Sequence, residues 1–128
     1  MGTIKSKLSL VAAGSSTTTS SGFSISCTDS LGIAAPVVNL ASGSVTNSGH
    51  DILVPTSASS ITYLYVKYVS KAGGTPTLVA STVSGTQNVM DISEGEAIFV
   101  PVKGTVGLRV TSTDSNAITY EYGYWTKS

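Results

Sequence analysis

The chain has 128 residues; 41% are hydrophobic, 11% are charged, and the 7 basic and 7 acidic side chains cancel. A chain of this length buries about two thirds of its unfolded surface, so we expect one domain over residues 1–128. The neutral balance argues against nucleic acid as a partner, since a binder needs a basic surface, and no apolar run approaches the length of a membrane span.

Small hydroxyl side chains, and not charges, make this chain polar. It contains 22 serines and 17 threonines, together 39 of its 128 residues. A weakly charged surface repels neighbouring protein molecules little, which suits a protein that functions within a stable assembly. The single cysteine, Cys27, excludes an internal disulfide and favours folding in a reducing compartment.

The N-terminal half alternates apolar and polar residues in short segments, which indicates β-strands. The predicted strands are residues 3–11, 22–28, 37–41 and 52–54. Between them, the Gly-, Ser- and Thr-rich segment 13–21 predicts a flexible loop, and 29–36 predicts a turn region. In the second strand Phe23, Ile25 and Cys27 are expected to point inward, which would make Cys27 an inert core thiol.

The longest β signal runs from Ser60 to Val69. Its alternation places one set of side chains on each face: Leu64, Val66 and Tyr68 on one, and Ile61, Tyr63, Tyr65 and Lys67 on the other. Residues 71–76 contain two glycines and a proline and predict a hairpin that returns along 77–83.

The stretch from Asn88 to Val110 predicts three short strands joined by two tight turns. Gly95 is expected to supply the positive φ of the first turn, and the apolar run 97–102 favours a strand covered on both faces. The last predicted strand, 117–126, follows a turn at 114–116. One of its faces carries Ile118, Tyr120, Tyr122 and Tyr124, and the other carries Thr119, Glu121, Gly123 and Trp125.

No segment shows helical periodicity, so the sequence predicts an all-β fold. We expect an antiparallel β-sandwich of eight or nine strands, closed as a jelly roll or a related Greek key, because two sheets can bury their apolar faces on each other. The order of the strands does not follow from one sequence.

Two groups of ionisable residues could suggest chemistry. His50 and Asp51 are adjacent, but they lie in turn sequence without a nucleophile motif. Asp91, Glu94 and Glu96 could form half of a glycosidase site or a weak cation site, although acidic residues around Gly95 also suit a solvated turn. Neither group has the spacing of a zinc or calcium site. We therefore predict no enzyme, no catalytic residues, no metal and no cofactor.

Aromatic residues are the feature that most suggests a binding surface. The candidate residues for a subunit or partner interface are Tyr63, Tyr65, Tyr120, Tyr122, Tyr124 and Trp125. Tyrosine is enriched at interfaces because it combines apolar area with a polar tip. The same residues could instead form cross-strand pairs that stabilise the sheet, or could stack on sugar rings.

Three segments resemble the C-terminal half of small β-sandwich proteins from the virions of tailed bacteriophages. They are Ser93–Val102, Gly107–Val110 and Tyr120–Trp125, within a region of likeness over residues 60–126, and Glu94 replaces the proline of the family's turn. The resemblance implies a capsid decoration, or cement, protein: a jelly-roll-like homo-oligomer, commonly a trimer, on the capsid surface. It also implies binding to the major capsid protein, with no catalytic residues. The alternative is a carbohydrate-binding module of a tail fibre or baseplate.

Overall fold

The computed structural model describes residues 2–11, 24–58, 61–85 and 87–128. Within them the chain forms nine β-strands and no helix. The strands are β1 (Gly2–Val11), β2 (Ser24–Val45), β3 (Asp51–Val54), β4 (Ile61–Lys71), β5 (Leu78–Ser81), β6 (Asn88–Ile92), β7 (Ala97–Lys103), β8 (Leu108–Ser112) and β9 (Ile118–Lys127). The all-β prediction is confirmed, while the loop expected at 13–21 and Phe23 lie outside the described residues.

Two antiparallel sheets form the sandwich. One has the order β1-β2-β9-β4-β7 and the other the order β3-β8-β5-β6. The pairings are nested, because β2 pairs with β9, β3 with β8, β4 with β7 and β5 with β6. Three further pairings, β1 with β2, β4 with β9 and β5 with β8, complete the sheets.

Both sheets contribute to one hydrophobic core. Its buried members are Val45, Leu53, Val54, Leu64, Val66, Tyr68, Leu78, Ala80, Ile92, Leu108, Val110, Ile118, Tyr120 and Tyr124. The period-two alternation placed Leu64, Val66 and Tyr68 on one face of β4, and in the structure all three are fully buried in this core. The Tyr68 hydroxyl donates to the carbonyl of Pro76 at 3.0 Å, so its polar tip is satisfied inside the core.

The predicted hairpin at 71–76 is wrong. Residues 71–76 carry the chain from β4 in one sheet to β5 in the other, and these strands do not pair. Likewise β6, β7 and β8 are the three strands expected between Asn88 and Val110, but each turn between them crosses from sheet to sheet. A turn sequence fixes where the chain reverses, and the apolar faces decide which strand it then joins.

The prediction for β7 is also wrong. The strand was expected to be covered on both faces, yet it is the edge strand of the five-stranded sheet and none of its residues is fully buried. The turn before it is as predicted. Gly95 has φ 87°, and the backbone N–H of Glu96 donates to the carbonyl of Ser93 at 3.0 Å.

Residues 29–36, expected to be a turn region, are part of the 22-residue strand β2. The strand changes partner within this region, from β1 to β9, and register shifts between Ile33 and Ala41 mark irregular pairing there. Such bulges bend a strand without ending it. Turn-forming residues therefore mark a bent strand here, and Ile33 is buried at the bend.

Candidate interface: an aromatic face and an N-terminal arm

The six aromatic residues proposed as one interface lie on opposite faces of the five-stranded sheet. Tyr120 and Tyr124 belong to the hydrophobic core, where they are 2% and 7% exposed, and Tyr122 packs against that core. Tyr63, Tyr65 and Trp125 lie on the other face. Tyr65 and Trp125 of this second group are partly exposed on the outside of the sheet, where a partner could contact them without opening the sandwich.

Tyr120 is held inside by a polar contact. Its hydroxyl donates to Oδ2 of Asp51 at 2.5 Å, and its ring lies 5.9 Å from that of Tyr122. Gly43, directly opposite on β2, leaves room for it, because a Cβ there would collide with the Tyr120 hydroxyl. Burial, then the hydrogen bond and the charge of Asp51, raise the pKa of Tyr120 far above its ordinary value.

The outer aromatic face consists of Tyr63, Tyr65, Phe99 and Trp125. The rings of Tyr63 and Phe99 are stacked, with centroids 5.8 Å apart and an interplanar angle of 18°. Trp125 is the β9 residue opposite Tyr63, and its ring lies against Gly123, where a side chain would displace it. Tyr63 is 7% exposed, whereas the other three are partly exposed. The face is therefore an ordered platform whose outer members remain accessible.

Tyr65 adds a hydrogen bond to this face. Its hydroxyl donates to Oε1 of Glu121 at 2.8 Å, across from β4 to β9. Burial comes first among the causes that raise the pKa of Tyr65, followed by this bond and the carboxylate's charge. The side chain therefore stays neutral and fixed in direction at ordinary pH.

Phe99 was missed by the sequence analysis. It lies within the apolar run 97–102, which favoured a strand covered on both faces. Such a run does not distinguish the side chains of one face from those of the other. The period-two spacing from Ala97 through Phe99 to Pro101 was the available signal, since these residues face Lys67, Tyr65 and Tyr63 of β4.

The arm consists of β1 and residues 24–33 of β2, which form an antiparallel ribbon. Among the described strands β1 pairs only with β2, so the outer edge of β1 is unpaired. Paired residues share a face. The face that carries Leu10 opposite Ile25 and Leu8 opposite Cys27, called the apolar face, also carries the polar pair of Ser6 and Asp29. The other face has hydroxyls and lysines, as in Lys7 opposite Thr28.

Solvent reaches the apolar face of the arm. Leu8, Leu10 and Ile25 are 53%, 47% and 49% exposed, and Cys27 is exposed too. The alternation was predicted correctly, but the inward placement of Ile25 and the core position of Cys27 are wrong. The reason is that this part of β2 extends beyond the core, so nothing among the described residues covers it.

A cleft of about 550 Å³ separates the arm from the outer aromatic face. From the arm it is lined by Leu8 and Cys27 together with a serine and two lysines of β1, and Tyr65, Ala97 and Phe99 line it from the sheet. Apolar side chains of the arm, interspersed with polar ones, thus face the aromatic side chains of the sheet across a gap, and neither side is fully buried. Removing such apolar surface from water by contact with another apolar group is favourable.

The structure separates the two residues that suggested acid–base chemistry. The Asp51 carboxylate accepts from Tyr120, whereas Nε2 of His50 lies 3.0 Å from Nη1 of Arg109. Because Arg109 can only donate, Nε2 must be the acceptor, which puts the ring proton on Nδ1. Asp51 therefore does not orient His50 as a base.

In the acidic cluster of Asp91, Glu94 and Glu96, the two glutamates make contacts that stabilise the fold locally. Oε1 of Glu96 accepts from the backbone N–H of Ser93 at 2.6 Å, and Glu94 lies 3.7 Å from Nζ of Lys71. Asp91 is exposed on β6, opposite Val79. In the described part of the chain, no three His, Cys, Asp or Glu side chains are grouped so as to hold a metal ion.

Comparison with protein-family models, curated proteins and solved structures finds no significant match to this chain. The described residues contain no helix of the length and apolarity needed to cross a membrane. A functional proposal therefore rests on this chain's own residues and geometry.

Proposed function

We propose that this protein is a non-enzymatic structural subunit of a tailed-phage virion. It binds the major capsid protein on the capsid surface and stabilises the shell as a homo-oligomer, most simply a trimer. The observation that carries the proposal is the apolar arm facing the outer aromatic face across an unfilled cleft, in a chain without net charge. Such a surface supports a role as a subunit that associates with another protein.

The strand order supports a jelly roll, which we include in the proposal. Nested pairs of β2 with β9, β3 with β8, β4 with β7 and β5 with β6 describe one long antiparallel ribbon rolled into two sheets. Viral capsid proteins use this architecture, and so do lectins and cupins. The fold therefore agrees with a virion role without selecting it.

The arm supports association between copies. Its half-exposed leucines resemble the apolar centre of a protein interface, and the unpaired edge of β1 offers backbone groups for strand addition. In the trimer we propose, the apolar face of one arm packs into the cleft of a neighbour. Each copy then contributes a weak capsid contact, and joined copies hold the lattice far more firmly than one copy does.

Co-sedimentation with capsid shells that lack this protein tests the capsid role. The purified chain should bind saturably. A variant with Leu8→Asp and Leu10→Asp should bind at least about tenfold more weakly, because loss of the oligomer removes multivalency. The matched control, Ser9→Asp with Ser26→Asp, adds the same charge to the polar face of the arm and should bind like the parent. Absence of saturable binding by the parent chain would contradict the capsid role.

One observation favours a second function, a carbohydrate-binding module of a tail fibre or baseplate. Trp125 is partly exposed on the outer aromatic face, beside a Tyr65 hydroxyl that is fixed by Glu121. An aromatic platform next to an oriented polar group suits a sugar ring. A glycan array tests this: hits that disappear in Tyr65→Ala and Trp125→Ala would support it, and an array without hits would remove it.

A further inference from the structure

A second surface, on the far side of the molecule from the aromatic face, is built around Arg109. This residue is on β8 between the core residues Leu108 and Val110, so its side chain points out of the four-stranded sheet. The loop between β2 and β3 and the loop between β5 and β6 rise beside it. Together they form a pocket of about 250 Å³.

The guanidinium of Arg109 is held in position. Its Nη1 donates to Nε2 of His50 at 3.0 Å, and its Nε lies 3.4 Å from Oγ of Ser81. The group rests directly on Gly85, which has φ 76°, and a Cβ at that position would collide with it. A side chain fixed in this way loses little further freedom when it binds a ligand.

Within the part of the chain that the structure describes, Arg109 forms no ion pair with a carboxylate. The pocket lining contains amides, hydroxyls and glycines around Arg109 and His50, and it contains no acidic residue. The one ion pair found in the described residues joins Lys71 to Glu94, elsewhere in the fold. Asp51, the nearest acid along the chain from His50, is turned inward to Tyr120. A partly buried guanidinium without a carboxylate is therefore left for an external anion to neutralise.

The donors match an oxyanion. A guanidinium carries five N–H groups, and two of those on Arg109 are used by His50 and Ser81. The other three find no acceptor among the described residues. Asn47 and Asn88 line the same pocket, and each carries a side-chain amide that can donate. The planar fork of arginine binds carboxylate or phosphate oxygens in pairs.

We propose that the pocket around Arg109 is a binding site for a small oxyanion group, a carboxylate or a phosphate-type anion. His50 and Ser81 position the guanidinium, and the amides of Asn47 and Asn88 complete the donor set. A volume of about 250 Å³ admits such a group and a few attached atoms. This site shares no residue with the arm or with the cleft beside it.

Nuclear magnetic resonance titration of the full chain tests the proposal, with sodium acetate and sodium phosphate as separate probes and sodium chloride to hold the ionic strength. The Arg109 Nε–H and His50 ring signals should shift saturably. Saturation by acetate alone identifies a carboxylate site, saturation by phosphate alone a tetrahedral one, and saturation by both a general oxyanion site. Shifts that stay linear for both probes would overturn the proposal.

Variants then locate the anion. Arg109→Gln should weaken binding at least about tenfold, while Arg109→Lys, which keeps the charge without the fork, should fall in between. Lys103→Gln removes one positive charge outside the pocket and should leave binding unchanged. Equal weakening in Lys103→Gln and Arg109→Gln would show that net charge and not the site attracts the anion. The direct reading of the Arg109 signal in the parent chain decides the matter even if Arg109→Gln does not fold.

Discussion

The hydroxyl of Tyr120 donates to the Asp51 carboxylate in a part-buried position between the sheets. A hydrogen bond to a charged group is worth about 1.5–3 kcal/mol, and its loss leaves the carboxylate without that donor. We expect Tyr120→Phe to lower the free energy of unfolding by about 2 kcal/mol in urea denaturation. Asp51→Asn keeps an acceptor and should cost less than half as much. An equal loss in both variants would show that the charge matters more than the hydroxyl's partner.

Four tyrosines give the fold a predictable response to alkali. Burial is the largest cause that raises the pKa of Tyr65, Tyr68, Tyr120 and Tyr124 above their ordinary 10.0. Above about pH 10 the unfolded chain therefore releases protons that the folded chain keeps, so the free energy of unfolding falls as pH rises. Urea denaturation from about pH 8 to about pH 11 should show this decrease. Tyr120→Phe should make the slope shallower, and a flat profile through this range would contradict the assignment.

Alanine substitutions at two glycines distinguish the stability cost of backbone strain from the added cost of a steric collision. Gly95 has φ 87° with no atom near its missing side chain, whereas at Gly107, with φ 72°, a Cβ would lie 2.6 Å from the carbonyl oxygen of Val54. Gly95→Ala should cost about 1 kcal/mol from the left-handed conformation alone. Gly107→Ala should cost about 3 kcal/mol or more, because the backbone must also move. Thermal unfolding of both variants measures the difference, and equal costs would mean that the collision is relieved freely.

At this scale the sequence predicted the direction of side chains better than their surroundings. Alternation correctly paired Leu64 with Val66, and Ile25 with Cys27, as members of common faces. It could not say that the first pair meets a second sheet while the second pair lies on an arm. Whether a strand face is buried depends on residues distant in the sequence, and a local pattern contains no information about them.

Among the elements, the arm and the core should respond differently to the same deletion. Leu64 is completely buried on β4, whereas Leu8 on the arm is 53% exposed. Leu64→Ala should cost about 2–5 kcal/mol, and Leu8→Ala less than about 0.5 kcal/mol at low protein concentration. If Leu8 packs against a second copy, its cost should grow with concentration because association stabilises the folded state. A cost for Leu8→Ala that stays near zero at every concentration would separate the arm from any subunit contact.

The elements also show where turn chemistry misleads. The turn at Gly95 was predicted with its conformation, yet the turns on either side of β7 lead to the opposite sheet and not to a paired neighbour. Residues 29–36 have turn composition but continue β2 through a bulged bend. Glycine, proline and aspartate permit a change of direction. Whether the chain reverses, bends or crosses depends on strands far away in sequence.

For the whole molecule, composition and periodicity were sufficient to predict two antiparallel sheets around one core. The nested strand pairing was beyond reach, because it depends on contacts between residues such as Ile33 and Lys127, about three quarters of the chain length apart. Of the six aromatic residues proposed as an interface, Tyr63, Tyr65 and Trp125 share the outer face, while Tyr120, Tyr122 and Tyr124 turn inward; their part in an interface stays a prediction. Phe99 and the exposed arm emerged only from the folded arrangement.

We propose that copies of this chain associate through the arm and the outer aromatic face. Sedimentation equilibrium of the full chain at micromolar concentration measures this directly. We predict a particle of three times the 13.0 kDa chain mass, dissociated by Leu8→Asp with Leu10→Asp and unchanged by Ser9→Asp with Ser26→Asp. A mass of 13.0 kDa at every concentration, or a trimer that the leucine variant leaves intact, would contradict the account.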